Sequence, residues 1–588
     1  MAGSSDKKVK PYLLILTLFL LAACSGAERD ENGLLTKNGN QVIKEYISEQ
    51  NKHKSPVNLK NKFGKDLKGL KLLGVKLINE DLSGVDLSFC EISRVEFSGS
   101  NFDGAILTKS ILQENNFSDS YMTNISAHFA DFQASIFENA IFRDSSFIQS
   151  NFEDTDFINA NLQRVNFDSN SFVRSIFDDS KILQSNFQKS NLAESSFKNA
   201  TITKTIFYGS NLRQILANNV QLTDSYCESV DLTGANLTDT TIGNSDFTHG
   251  IINQIQLKNV SLTDVSFYSA SFQIADMSKV SINGCNFENA HFNNAQINNV
   301  KSLNSNFNNA HFNNTNVKDL IMDESTATFT KFNKVSITSS TIRNSNFEST
   351  LSNNTLIQNS ILTNINLKSS EFINSNFTDC KFRDVNFDKA HMQNMYLGGA
   401  EFIKTRFNQV SIVDTEYQAV IFDQSPIYNS QLSNTTYTNS SFLNSNLDRN
   451  LMVGVKGLTN VESTSGIYLI KDLEKIQDLS NMNLRNLNLS GLSFQNTNFS
   501  NAILRNANLS NTVFDNCILH NVDLKSSNLS KTSFNRSDLT ESNLELAKVY
   551  KTNFDYTNLT NVNFVKAFVN DISLVQAKLN GTQGLSDN

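Results

Sequence analysis

The stretch SIFENAIFRDSSFIQSNFEDTDF, residues 135–157, decides the fold. Phenylalanine stands at 137, 142, 147, 152 and 157, every fifth position without a miss. An α-helix rotates by about 140° over five residues and cannot keep such a row on one face. A flat strand, with its period of two, cannot either. A chain that turns a corner every five residues can. The row begins at Leu67 and runs without insertion to Met452, 78 positions in all. A second row in a shifted frame runs from Leu484 to Leu579 and adds 20. Of these 98 positions, 92 hold a large apolar or aromatic residue, and they collect 38 of the 44 Phe in the 588-residue chain, so the period is not a chance of composition.

Two residues before each of these centres the chain is small or β-branched, as at Ser135, Ala140, Ser145, Ser150 and Thr155. Asn or Asp often stands between, as in Ser150-Asn151-Phe152 and Ala507-Asn508-Leu509. This A-(D/N)-L-x-x pattern resembles the pentapeptide-repeat family over nearly all of 67–579. The resemblance implies an all-β fold, a right-handed quadrilateral β-helix in which four five-residue sides close one coil. The centre and the small residue before it then point inward, and the other three face solvent. Coils stacked at the strand spacing of about 4.8 Å would make the first block about 95 Å long and the second about 25 Å.

Composition agrees. So heavy an aromatic load argues against disorder, and a net charge of −8 implies neither a nucleic-acid binder nor a strongly acidic decoy.

The N-terminus reads separately. Lys7, Lys8 and Lys10 precede an apolar run from Tyr12 to Ala23, which is too short to span a bilayer and fits the h-region of a secretory signal. It ends in Leu21-Ala22-Ala23-Cys24 and resembles the lipobox of bacterial lipoproteins. That resemblance implies cleavage before Cys24, lipid on its thiol and amino group, and a mature charge of −10. Ser25, where Asp would favour the inner membrane, implies the outer membrane.

These readings set the expected organisation: signal peptide 1–23, tether 24–39, N-terminal cap region 40–66, first β-helix 67–458, connector 459–478 and second β-helix 479–588. Val42, Ile43, Tyr46 and Ile47 recur at helical spacing, so a cap helix is expected over Asn40–His53. A short helix is expected over Gly466–Gln477. Both frames end centre-x-G-x-x-G-L, at Met452–Leu458 and Leu579–Leu585, which suggests two solenoids, stacked or linked. Six centres are small: Ala127, Ala217, Cys227, Ser302, Ala327 and Ser352. Each has a large neighbour, such as Phe129 or Leu303, which a local bulge would slide inward.

Little chemistry is legible. Cys90, Cys285, Cys380 and Cys517 take the small inward position and Cys227 a centre, all as core residues too far apart for disulfides. His291 and His311 should stack one coil apart, but Ser271 and Lys331 on either side supply no third metal ligand. No nucleophile elbow, P-loop or HExxH motif is present. The expectation is therefore a lipid-anchored envelope scaffold with no catalytic residue, metal or cofactor. Its partners would be the membrane, through Cys24, and a protein or polysaccharide along the faces. The alternative is a DNA mimic regulating a nucleic-acid enzyme such as gyrase, but a charge of −10 over the mature chain is dilute for that.

Overall fold

The computed structural model describes residues 27–458 and 470–585; Cys24 and the signal-like segment lie outside them. The fold is an all-β parallel β-solenoid of about 24 turns, with its α-helices near the N-terminus. The chain divides into two units, Met1–Asp276 and Met277–Asn588.

In the first unit, α1 (Lys37–Lys52) begins three residues before the expected helix, because the Thr36 hydroxyl accepts a hydrogen bond from the Gly39 N–H and caps it. Ile43 and Ile47 are fully buried. Tyr46 packs edge-on against Phe63 of α2 (Leu59–Phe63), with ring centres 5.5 Å apart. The buried Asn40 amide donates to the carbonyls of Leu35, Thr36 and Gly69, while its oxygen accepts from the Lys71 N–H. One side chain thus ties α1 to the open edge of the first coil, which an uncovered solenoid would leave unpaired. The segment expected as a tether is folded from Glu28 onward. Arg29 pairs with Leu35 in an antiparallel bridge, and its guanidinium lies 3.3 Å from Asp66. Leu35 is buried and donates to Lys68 O at 2.9 Å.

Each coil repeats after 20 residues in strict register, as in Tyr121↔Ile141, Ile141↔Asn161 and Asn161↔Lys181. In the first unit the strands are three residues long with the centre buried, as at Asn161–Gln163. Phe157 lies between Phe137, at 5.2 Å, and Phe177, at 4.7 Å, with the rings nearly parallel. Serines at the small inward positions are hydrogen-bonded. Ser135 Oγ donates to Leu112 O at 2.8 Å and accepts from the Asn115 N–H at 3.2 Å, and Ser150 does the same with Ala127 O and Ala130 N–H. These hydroxyls satisfy backbone groups that the corner leaves without a ladder partner. The residue two after each centre is left-handed, as at Asn139 (φ 59°) and Asn159 (φ 56°), which explains the Asn, Asp and Gly found there.

In the second unit, strands such as Glu371–Ile373, His391–Gln393 and Ser411–Val413 stack in the same register. A 3-10 helix covers Ile470–Lys475, inside the segment where a short helix was expected; residues 459–469 lie outside those described. A second ladder starts at Asp478↔Asn498. Its core, from Leu473 to Phe564, takes in the outward-facing Leu451 of the first ladder.

The expected bulges at small centres do not occur. Ser302 pairs in register with Ile282 and Met322, and Ser352 with Phe332 and Phe372. Their large neighbours point to solvent, Phe329 being 59% exposed. The unbroken 20-residue ladder holds the backbone, so a small centre leaves space instead of drawing a neighbour in. Apolar cavities of about 50, 60 and 40 Å³ lie beside Ala217 and Cys227, beside Ser302 and Ala327, and beside Ser352.

Phe157→Ala removes a fully buried ring and is expected to cost about 3–5 kcal/mol. Ile158→Ala, one residue on and half-buried, should cost less than about 1.5 kcal/mol. Denaturant titration of the two variants checks the inward–outward assignment, and equal losses contradict it.

Candidate functional site

A polar recess of the second unit lies where the second ladder meets the flank of the first. Asn483 Nδ2 donates to Gln409 O at 2.7 Å, and Gln409 Nε2 donates to Asn501 O at 3.1 Å. Arg485 reaches Glu371 at 2.8 Å with both side chains mostly buried. Beside this pair is a cleft of about 510 Å³. His391, Gln393, Gln431 and Asn506 contribute its polar lining, and Ile373, Val413 and Leu487 its apolar walls. A second cleft, of about 160 Å³, brings Lys389, Arg485 and Arg505 together with Asp523.

Glu371, His391 and Ser411 occupy the same outward position on three successive strands. A carboxylate, an imidazole and a hydroxyl in that order suggest a hydrolytic triad, and only the 20-residue stacking brings them together. Their environment argues otherwise. The Glu371 carboxylate is committed to Arg485. His391 Nδ1 and Ser411 Oγ are buried and have no hydrogen-bond partner. The other imidazole nitrogen lies 3.4 Å from Gln393 Oε1. Ser411 is fully buried and does not line the cleft. Burial, and then the positive charge of Arg485, pull the His391 pKa down to about 4, far below that of a useful general base at neutral pH. For Glu371, burial pushes upward, but the charge and hydrogen bond of Arg485 outweigh it and hold the carboxyl below its usual range. The arrangement is a buried polar seam joining two ladders.

The residues singled out in the sequence are dispersed. Cys90, Cys227, Cys285, Cys380 and Cys517 are buried free thiols. Burial pushes Cys90 up to about 12 and Cys517 to about 11, so neither is a ready nucleophile. His291 and His311 pair in register and meet edge-on with ring centres 4.8 Å apart, and Lys331 follows in register. No group of three or more His, Cys, Asp or Glu among the described residues could hold a metal ion. Cys24 is not described.

One buried carboxyl escaped the sequence reading. Glu80 takes the small inward position before Leu82, where it is 2% exposed and accepts a hydrogen bond from the Leu59 N–H at the start of α2. Burial raises its pKa to about 7 against that bond. The signal was a charged residue at a position otherwise small or apolar.

The family described as Pentapeptide repeat region matches residues 130–197 and 150–226, and that described as Pentapeptide repeats (8 copies) matches 90–126, 353–388, 478–516 and 517–555. No curated protein matches the sequence. Among solved structures, the chain is similar to HetL, a pentapeptide repeat protein involved in heterocyst differentiation regulation from the cyanobacterium Nostoc sp. strain PCC 7120. That match has 17% identity and a TM-score of 0.20, over 42% of this chain and 90% of that one. Full-length QnrB1, a plasmid-mediated fluoroquinolone resistance protein, matches with 12% identity and a TM-score of 0.15, over 38% of this chain and 92% of that one. A pentapeptide repeat protein from the Arabidopsis thaliana thylakoid lumen matches with 20% identity and a TM-score of 0.11, over 18% of this chain and 71% of that one.

The two titrating sites have opposite pH dependence. Glu80, with its pKa raised from 4.5 to about 7, stabilises the cap fully below pH 4.5 and loses that contribution as pH rises through 7. His391, lowered from 6.5 to about 4, contributes fully above pH 6.5 and loses its contribution as pH falls towards 4. Hydrogen exchange between pH 5 and 8 should therefore show α2 loosening on the alkaline side, and Glu80→Gln should abolish the trend. Arg485→Leu should free the strands Glu371–Ile373 and His391–Gln393 to exchange at neutral pH while the ladder from Asp478 stays protected. Unchanged exchange at Glu371–Gln393 contradicts the seam.

Proposed function

We propose that the chain, which belongs to the pentapeptide-repeat family, is a non-catalytic binding scaffold held at a bacterial envelope membrane, the outer one by its Ser25, through lipid on Cys24. The observation that carries the scaffold reading is the occupancy of the coil interior. Position after position is filled by Phe, Leu or Ile and by small residues, many of them hydroxyls bonded to the backbone, and the reactive groups that do point inward, the five thiols and Glu80, are buried away from any substrate. Ladders of Asn, Ser, Thr and charged groups on a flat β-surface suit extended contacts with a protein or polysaccharide better than a small substrate. The anchor rests on Leu21-Ala22-Ala23-Cys24 following a short apolar run.

A DNA-mimic reading needs rows of uncompensated carboxylates. Here some are paired with arginines one coil away, as Asp144 with Arg164 at 2.6 Å, Asp154 with Arg174 at 2.7 Å and Asp323 with Arg343 at 2.7 Å. Such pairing favours the scaffold.

Mass spectrometry of the mature N-terminal peptide should find Cys24 first in the chain and acylated. Crosslinking in intact envelopes should recover partners that a Cys24→Ser variant loses. An unmodified Cys24 removes the anchor, and substrate turnover by the purified protein removes the non-catalytic reading.

A further inference from the structure

The N-terminal end of the first unit differs in charge from the rest of this acidic chain. Residues 27–76 hold eleven Lys and Arg against six carboxylates, and from Lys37 to Lys76 ten lysines stand against Glu45, Glu49 and Asp66. Lys60, Lys68 and Lys71 are paired, with Asp81, Asp86 and Glu91. Lys44, Lys52, Lys54, Lys62, Lys65 and Lys76 are exposed and form no ion pair among the described residues. Large apolar side chains stand in solvent on the same cap and first coil: Val42 is 50% exposed, Leu73 65% and Ile78 50%. Unpaired lysines and exposed aliphatics gathered at one end of a chain are the surface chemistry of an interfacial membrane contact.

From Glu28 onward the chain is folded onto α1 and the first coil: Thr36 N–H donates to Glu28 O at 2.9 Å, and a Cβ on Gly39 would clash with Glu28 O. Four residue steps separate Cys24 from Glu28, a reach of at most about 14 Å. The headgroup layer is itself roughly 5–7 Å deep, and the Debye length at physiological salt is about 8 Å. Lipid at Cys24 therefore brings the cap into the surface field of the bilayer.

We propose that the N-terminal cap and first coil form a docking surface for an anionic lipid bilayer, with the free lysines facing the headgroup phosphates and Val42, Leu73 and Ile78 entering the interface. The orientation imposed by a close anchor rests on the lipidated-Cys24 reading; the surface itself does not.

The test uses the chain from residue 24 onward carrying Cys24→Ser, which keeps every described residue and cannot take lipid. It is sedimented with vesicles of phosphatidylcholine alone and of phosphatidylcholine with phosphatidylglycerol. Binding to the anionic vesicles alone, falling as sodium chloride rises, is expected. Lys52→Gln, Lys54→Gln, Lys62→Gln and Lys65→Gln should each lower the partition coefficient about fivefold. Leu73→Ser should lower it without changing the salt slope. All these sites are exposed, so thermal melts should match the parent. Equal binding to both vesicles, binding to neither, or indifference to the lysine substitutions overturns the surface. So does displacement by millimolar inorganic phosphate, which would mark a discrete phosphate site. Acylation of Cys24, read separately by mass, distinguishes failure of the anchor from failure of the surface.

Discussion

A corner every five residues is the constraint on which the rest of the structure depends. Each corner needs a backbone that reverses cheaply, and the left-handed residue two after each centre provides it. Such a residue costs an L-amino acid about 1–2 kcal/mol unless it is Gly or a short polar side chain. The ladder of Asn, Asp and Gly at this position is therefore a backbone requirement before it is a polar surface. Where the rule is broken, as at Ile274 (φ 59°) and Phe329 (φ 57°), the side chain is large and exposed and the coil still closes. Stacking from the coils above and below outweighs local preference at single positions. The same stacking keeps Ser302 and Ser352 in register when a shift would have filled the space beside them.

The period, the inward centres and the cap helix were legible because each is a repeated apolar pattern, and Ile43 and Ile47 show the helical one as clearly as Phe157 shows the other. What stayed illegible depends on where one segment meets another. Ser135 looked merely small, yet its hydroxyl carries two hydrogen bonds between coils. Glu28–Thr36 read as a polar tether because its partners, Asp66 and Lys68, lie far along the chain. The seam at Glu371 and His391 depends on Arg485, more than a hundred positions away in a different repeat frame. No local motif announces such a contact. Glu80 was missed as well, although a carboxylate at an inward position violates the pattern and that violation was a signal within the sequence.

The two ends of the first ladder are closed by different physics. At the N-terminus α1 and α2 cover the open edge, with Asn40 and Glu80 joining helix to coil through backbone hydrogen bonds. Towards the other end the second ladder lies against the flank, and Leu451 turns outward into the core of its neighbour. The first closure buries a carboxyl that prefers its proton, and the second buries an imidazole that rejects one. Acidification therefore tightens one closure and strains the other.

A solenoid with a 20-residue period also changes what a constellation of residues is worth. Any outward position is stacked on its counterpart one coil above and one below, so residue types that recur on a polar surface will form carboxylate–imidazole–hydroxyl columns by composition alone. Glu371–His391–Ser411 is such a column. Spacing cannot separate a catalytic column from an incidental one; hydrogen bonding, protonation and access can. A catalytic column would put the imidazole between two hydrogen bonds, keep its pKa near neutrality and open the hydroxyl to the cleft. Here the carboxylate is held by Arg485, the imidazole stays neutral down to about pH 4 and the hydroxyl is sealed. Function in such a fold is read from the faces that remain open, and the face that departs most from an acidic chain is the basic cap at its N-terminus.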